Sequence, residues 1–501
     1  MAFFNFIKKQ LFFVVYIRYN VNEEIEVSAM KGLKNKIIAL LLLSFVVSGC
    51  ANTTNETAGF KTGDDIKLLD NIKMDYDNAI FDDFANGVNK SNWYIGNQAW
   101  GGGNGGVIPA NVNYTDDGVL VFTANGKYYS DNDVRGVGDV KDGRYTGAAI
   151  ISKFKVRSGR FEVKMKVLPR QGACTAFWVY ANDTQTGANH EIDIELPGGN
   201  IERPVTFENV LNTNYITEEF RQSQDTKMSS LYEDGKEVYL NDGEWHVFGF
   251  DWYTNPELVV YYVDGKVTAV SDIFVPFMES RLWLGCWFPV TSSFVGTAEF
   301  EKDNMYVDYV KYIPFLNQPY EEFDPPISGY ALENEYPTSP IPVPNINKIS
   351  NGTFENIASL NIGSALANEV EVYGWHLTKK LSEDKNLEEV VEIIDGVGFD
   401  NSKALILKDG AVVYQTIDSV YHNFKYDFSF HAKGKGRAIV AFYGKTTSET
   451  LDTITINIDE EDLTLFTKEL IAPQNCQSIM INFDTSDGNS LLIDNLSLLN
   501  K

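Results

Sequence analysis

The sequence predicts an all-β protein: a large two-sheet sandwich followed by a second, smaller β-sandwich. Three features carry that expectation. Between Ile80 and Ile313, short runs of alternating apolar and polar residues are separated by Gly, Asn and Asp turns, the period-2 signature of strands with one buried face. No long segment places its apolar residues at the 3.6-residue spacing of a helix. After Tyr312 a proline-rich stretch breaks the pattern, and a further β-rich run of about 150 residues follows, the size of one more domain.

At 501 residues the chain is long enough for more than one core. Near its start, MKGLKNKIIALLLLSFVVSGC (Met30 to Cys50) sets Lys31, Lys34 and Lys36 ahead of an apolar run from Ile37 to Val47. The run is short for a bilayer span, and its basic front fits a secretory signal. Its VSGC end resembles the lipobox of bacterial lipoproteins, which implies a lipid on Cys50 and anchorage to the bacterial cell envelope. An ordinary cleaved signal or an uncleaved anchor is the alternative. Residues 1–50 are read as N-terminal extension and signal, and 51–79 as a linker.

The region 80–315 carries the clearest strands. In SGRFEVKMKVLP, Phe161, Val163, Met165 and Val167 share one face, while Glu162, Lys164 and Lys166 are expected on the solvated other. PELVVYYVDGKVTAV reads as a hairpin turning at Asp264–Gly265. Beyond the signal only Cys174, Cys286 and Cys476 remain, an odd number that implies no disulfide framework. Buried free thiols are expected, with a Cys174–Cys286 pair as the alternative. No Cys or His spacing suggests zinc. The formal net charge of −27 repels nucleic acid and anionic headgroups, so no nucleic-acid partner is expected and neutral glycans gain weight as ligands.

The chemistry concentrates in HEIDIELPG, His190 to Gly198. On a strand Glu191, Asp193 and Glu195 project together while Ile192, Ile194 and Leu196 enter the core. An ordinary wet strand face alternates in the same way, but it mixes charge signs, whereas three unrelieved acids repel. Retaining glycoside hydrolysis needs two carboxyl groups about 5–5.5 Å apart, one nucleophile and one general acid then base. Alpha-carbons four residues apart are about 13 Å apart on a strand, a gap two inclined glutamates on a bent sheet can narrow. An aspartate between them couples the charges and raises the pKa of the acid that must stay protonated.

At these residues the chain resembles glycoside hydrolase family 16, the β-jelly-roll endo-glycosidases with an E-x-D-x-E signature or a bulged form one residue longer. EIDIE matches the unbulged form. The likeness extends through YTGAAIISKFKVRSGRFEVKMKV and AFWVY before the motif, and through LNTNYITE, EWHVFGFDWYTNPELVVYYVDGK, WLGCWFP and YVDYVKY after it. It implies a concanavalin-like jelly roll over 80–315, with Glu191 as nucleophile, Asp193 as its helper and Glu195 as acid/base, and no cofactor for catalysis. It also implies a substrate cleft bordered by Trp178 and Trp287, with Asn214 in the LNTNYITE block. Trp100, in the glycine-rich NQAWGGGNGG, is a candidate cleft edge, and His190 a neighbouring polar contact. Trp245, Trp252 and Trp283 are assigned to the core. The unbulged motif favours β-glucan as substrate; an agarose- or porphyran-type galactan and transglycosylation are the alternatives. A catalytically silent glycan-binding lipoprotein is the alternative of another class.

Residues 316–346, with Pro337, Pro340, Pro342 and Pro344, read as an extended linker. The unit 347–501 opens with NGTFE (Asn351 to Glu355) and closes with Asp494–Asn495, resembling carbohydrate-binding modules of the family 4/9 type; an immunoglobulin-like spacer is the competing reading. The resemblance makes Tyr373, Trp375 and Tyr443 candidates for sugar stacking. Glu355 and Asp494 are candidate calcium ligands at the module's edge, and Asp308 a structural calcium ligand of the first domain, against solvated carboxylates as the alternative. The expected protein is a monomer whose partners are a polysaccharide and, through Cys50, a membrane.

Overall fold

Alternation of inward and outward residues becomes two stacked antiparallel sheets between Ile80 and Pro314. A computed structural model describes residues 63–99, 106–129, 145–198, 211–217, 221–227, 232–233, 236–237, 240, 242–289, 292–355, 369–372, 374–378, 390–418, 420–444 and 449–501. The signal stretch with Cys50, and also Trp100 and Tyr373, lie outside these residues.

The first sheet has eight strands, with Gly159–Lys166 between His246–Thr254 and Lys302–Pro314 near its middle. The second has seven, in the order Arg221–Lys227, Leu211–Thr217, Asn189–Pro197, Cys174–Asn182, Arg281–Trp287, Ala148–Ser152 and Trp93–Ile95. Their facing sides form one core. Phe161, Val163, Phe248 and Phe250 come from the first sheet, and Phe177, Val179, Ile192, Ile194, Leu282 and Leu284 from the second. The Phe177 and Phe250 rings meet across it at 5.9 Å. Each such side chain contributes about 1.5–3 kcal/mol by leaving water. The jelly-roll sandwich is thus present, and Asp264 and Gly265 turn the expected hairpin with positive φ at both residues.

The outer face of the eight-stranded sheet departs from expectation. Glu162 and Lys164 are buried, not solvated: the chain at Gly63–Ile66 lies over Glu162, and Lys164 packs on Trp245 and pairs with Asp308. The amide of Gly63 donates to Glu162 Oε1 at 2.5 Å. Arg160 donates to Asp251 through Nε and NH2, each at 2.7 Å, and its NH2 reaches Ile66 O at 2.9 Å. The described end of the segment read as a linker, residues 63–79, is therefore bonded to the sandwich.

The proline-rich segment 316–346 also differs from a free tether. Its prolines keep it extended, and the residues between them satisfy groups at the sandwich edges. Ala331 N donates to Ile95 O, Ile341 N to Tyr114 O, and the Tyr336 hydroxyl to Trp93 O. An extended chain with intact amides is a good partner for an unpaired sheet edge.

The C-terminal region forms the second sandwich from a nine-stranded sheet folded on itself. The long strand Lys425–Tyr443 pairs through its first half with Ser490–Asn500 and through its second with Ser478–Asp484. The sheet changes direction near Gly434, whose φ of +104° and whose approach to Ser490 O leave no room for a β-carbon. Phe430 and Phe483, from the two halves, meet edge to face at 5.0 Å inside the core. Trp375 is 0% exposed there, packed on Phe354 and Phe483, with Nε1 donating to Asn351 O. It is a core residue and not a sugar platform.

A buried ionic cluster docks this sandwich on the first. Asp303 of the first domain accepts from Arg170 Nε at 2.9 Å and from Lys348 Nζ at 2.6 Å. Arg170 NH2 donates to Lys348 O at 3.2 Å, while Asp418 of the second domain accepts from Gln171 N at 2.5 Å.

Candidate active site

The strand Asn189–Pro197 holds the three acids in the expected phase. Its register sets Glu191 opposite Tyr180, Asp193 opposite Trp178 and Glu195 opposite Ala176 on one neighbour, and opposite Tyr215, Thr213 and Leu211 on the other. Ile192, Ile194 and Leu196 project into the core from the opposite face. Glu191 and Glu195 are half-buried, and Asp193 between them is 8% exposed. Neighbours register the negative field. Burial and then Glu191 raise the Tyr180 phenol, and burial and then Glu195 push the Cys174 thiol well up.

Beside the acids lies an aromatic platform. Trp178 stacks on Trp283 with centroids 5.4 Å apart and planes at 22°, and Tyr180 meets Trp283 edge-on at 6.3 Å. Trp283 pairs directly with Trp178, so one row runs from Asp193 through Trp178 to Trp283. Trp283 is buried as assigned, 9% exposed, but it packs on the acid-bearing face of the sheet and not between the two sheets. The signal was present in RLWLGCW: Leu282, Leu284 and Cys286 take the inward phase, so Trp283 and Trp287 share the outward one. Trp287 is half-buried at the same sheet face, opposite Cys174. Tyr180 and Tyr215, also set opposite Glu191, were not singled out from the sequence.

Other candidates fall elsewhere. His190 has the phase of Ile192 and is buried away from the carboxylates; its Nδ1 accepts from Phe277 N at 3.3 Å, and burial lowers its pKa to about 4. Asn214 pairs with Ile192, whereas Thr213 and Tyr215 pair with Asp193 and Glu191. Trp252 is a core residue whose Nε1 donates to Pro276 O. Trp245 is not: it lies half-buried beneath the ammonium groups of Lys164 and Lys166. Cys174 and Cys286 are free, and their phases send the side chains to opposite faces of the sheet, which precludes a disulfide between them.

Among the described residues no three His, Cys, Asp or Glu side chains converge on a metal position. Asp308 is ion-paired to Lys164 and Glu355 to Lys403, so two of the three carboxylates considered for calcium face ammonium groups. Glu355 and Asp494 do come to the same loop: Lys403 N donates to Glu355, while Phe399 N and Ser402 Oγ donate to Asp494 Oδ2. Asp494 is 0% exposed, and burial raises its pKa. Tyr443 is half-buried at a strand end, its hydroxyl 4.0 Å from Met480 Sδ.

Residues 109–287 match the family model of glycosyl hydrolases family 16. Over 172 residues, 34% of this chain, the sequence is 26% identical to a xylanase/β-glucanase of Ruminococcus flavefaciens, covering 19% of that protein. Over 129 residues, 26% of this chain, it is 27% identical to a β-glucanase of Bacillus amyloliquefaciens, covering 47% of it. The chain thus spans less than half the length of either curated relative. Among solved structures it is similar to a Bacillus licheniformis β-glucanase, with 18% identity, 47% of this chain, 97% of that chain and a TM-score of 0.36. The laminarinase catalytic domain of Thermotoga maritima gives 19%, 49%, 99% and 0.35.

Proposed function

We propose, from the premise that the chain contains a glycosyl hydrolase family 16 domain, that this protein is an endo-acting, retaining glycoside hydrolase of β-glucan, mixed-linkage β-1,3-1,4 or β-1,3. One observation carries the reading. Three carboxylates share a face of one strand inside the matched region, with the stacked Trp178–Trp283 pair beside the central one. The names of the relatives support glucan as the substrate class.

In this mechanism Glu191 attacks the anomeric carbon and forms the glycosyl ester as the bond to the leaving oxygen breaks; Glu195 gives that oxygen its proton. Glu195, now a carboxylate, takes a proton from water, whose oxygen displaces Glu191 and restores the starting configuration. Asp193 keeps the charges coupled, holding a proton on the acid while the nucleophile stays ionised. Trp178, held by its stack on Trp283, binds the apolar face of a sugar ring. The lipid at Cys50 holds the enzyme on the bacterial envelope, and the C-terminal sandwich contributes to holding polysaccharide.

The test is product sizing after incubation of residues 51–501 with lichenan, laminarin, xyloglucan, agarose and porphyran. Mid-sized oligosaccharides from lichenan or laminarin are expected. Intact glucans alongside a depolymerised galactan overturn the substrate class, and no cleavage of any polymer overturns the enzymatic reading.

A further inference from the structure

We propose that the C-terminal domain completes the substrate cleft: beyond Trp287, Glu299 of the first domain and the stacked His376–Tyr414 pair of the second form one outlying glycan subsite. The inference rests on the proposed function and gives the second sandwich a role different from that of a tethered module.

The starting point is that the two sandwiches are docked. Arg170, Asp303 and Lys348 are almost fully buried at their junction, and ions removed from water in this way hold one geometry because each loses its partner if the surfaces part. Asp418, which receives Gln171 N and lies 3.5 Å from Arg170 NH1, belongs to the strand Val412–Asp418. Tyr414 lies four residues earlier on that strand, so it shares the sheet face that meets the first domain. The register pairs it with His376, and the two rings stack at 5.1 Å and 21°.

Contacts connect this pair to the end of the cleft. His376 Nε2 lies 3.9 Å from Glu299 Oε2, the latter on a side chain 46% exposed. Glu299 in turn acts on Tyr145, whose phenol is raised by burial and then by that carboxylate. Tyr145 packs on Phe288 at 5.3 Å, and Phe288 follows Trp287 in the chain. The backbone at Gly147, two residues after Tyr145, lies against Trp287, so Tyr145 and Glu299 stand on the Trp287 side of the sandwich, where His376 of the other domain meets Glu299.

The chemistry suits a neutral glycan. A ring face takes the C–H side of a sugar, and the Glu299 carboxylate accepts from its hydroxyls, an arrangement that an anionic chain would not tolerate. Trp287 already lies two strands, about 10 Å, to the side of the carboxylate strand. Only a chain of several sugars reaches the subsite from the acids.

The test compares Tyr414→Ala with Tyr414→Phe in the full chain, on whichever polysaccharide the wild type cleaves and on a short aryl β-glycoside. Expected for Tyr414→Ala is a KM for the polymer raised about fivefold or more, with kcat within twofold and the short substrate affected less than twofold. Tyr414→Phe, which keeps the ring, restores the polymer KM. A Glu191→Ala protein, retarded in a native gel containing that polysaccharide, loses most of its retardation when Tyr414→Ala is added. An unchanged polymer KM and retardation overturn the subsite while leaving the hydrolase intact, as do equal losses on both substrates that Tyr414→Phe fails to restore. A wild type that cleaves no polymer overturns the functional reading, and the subsite with it.

Discussion

Asp303→Asn separates a docked C-terminal domain from a tethered one. The carboxylate is buried, and although burial alone would raise its pKa, Lys348 and Arg170 hold it below the usual range. Its Oδ2 takes both cations, Lys348 Nζ at 2.6 Å and Arg170 Nε at 2.9 Å. The amide keeps the shape and one acceptor but removes the only full charge directly contacting both. Breaking one partner out of a buried ion pair costs about 3–5 kcal/mol, because the remaining charge stays desolvated. Lys348 softens the loss: burial already lowers its pKa while Asp303 opposes that shift, so without Asp303 it sheds its proton more easily. The cost is therefore about 3 kcal/mol at neutral pH and smaller at pH 9 than at pH 6. Urea unfolding followed by tryptophan fluorescence reads it. The wild type is expected to unfold in one transition, and the variant at lower urea with the two sandwiches separating into distinct steps. A shift worth under about 1 kcal/mol, independent of pH, would refute the argument.

Three further outcomes follow from the same geometry. Trp178→Ala should lower kcat/KM on polysaccharide about tenfold, ~1.4 kcal/mol, with a smaller loss of thermal stability than a buried tryptophan would give, since the half-buried ring lies on the acid-bearing face; a purely structural effect would lower the unfolding temperature and spare KM. Trp375→Ala should do the reverse, costing about 3–5 kcal/mol of stability as a core cavity forms, which a denaturation curve reads directly. His246 loses hydration by burial, but Asp242 and Asp264 more than offset this and raise its pKa to about 10. A raised histidine contributes fully below its unfolded pKa near 6.5 and loses the contribution as pH rises towards 10. The urea midpoint should thus fall between pH 7 and 10 in the wild type and flatten in His246→Gln; parallel profiles would contradict the assignment.

The acids were legible because period 2 alone fixes which residues share a face, and Glu191, Asp193 and Glu195 keep that phase in the folded strand. The same rule gives the sheet faces of Trp283 and Trp375: the first is buried as assigned but on the acid-bearing face, and the second, taken for a sugar platform, is buried in the core. Trp283 stands between Leu282 and Leu284, and Trp375 shares an inward phase with Leu377. Composition reads residues 316–346 as an extended linker, but composition does not decide whether amides such as those of Ala331 and Ile341 find a sheet edge. Least legible was the Arg170, Asp303, Lys348 and Asp418 cluster. Its members are separated by up to 248 residues, and each alone reads as a surface charge. Glu162 misled for a related reason, since a segment nearly a hundred residues away covers it.

The most direct test of the central claim is the anomeric configuration of the product when azide rescues each glutamate variant on an aryl β-glycoside. In Glu195→Ala the leaving group needs little protonation, so Glu191 still forms the glycosyl ester, and azide displaces it without a general base. Two inversions predict a β-azide from Glu195→Ala. Glu191→Ala lacks the nucleophile, and direct attack by azide would give an α-azide. An α-azide from Glu195→Ala together with a β-azide from Glu191→Ala would contradict the account and exchange the two roles.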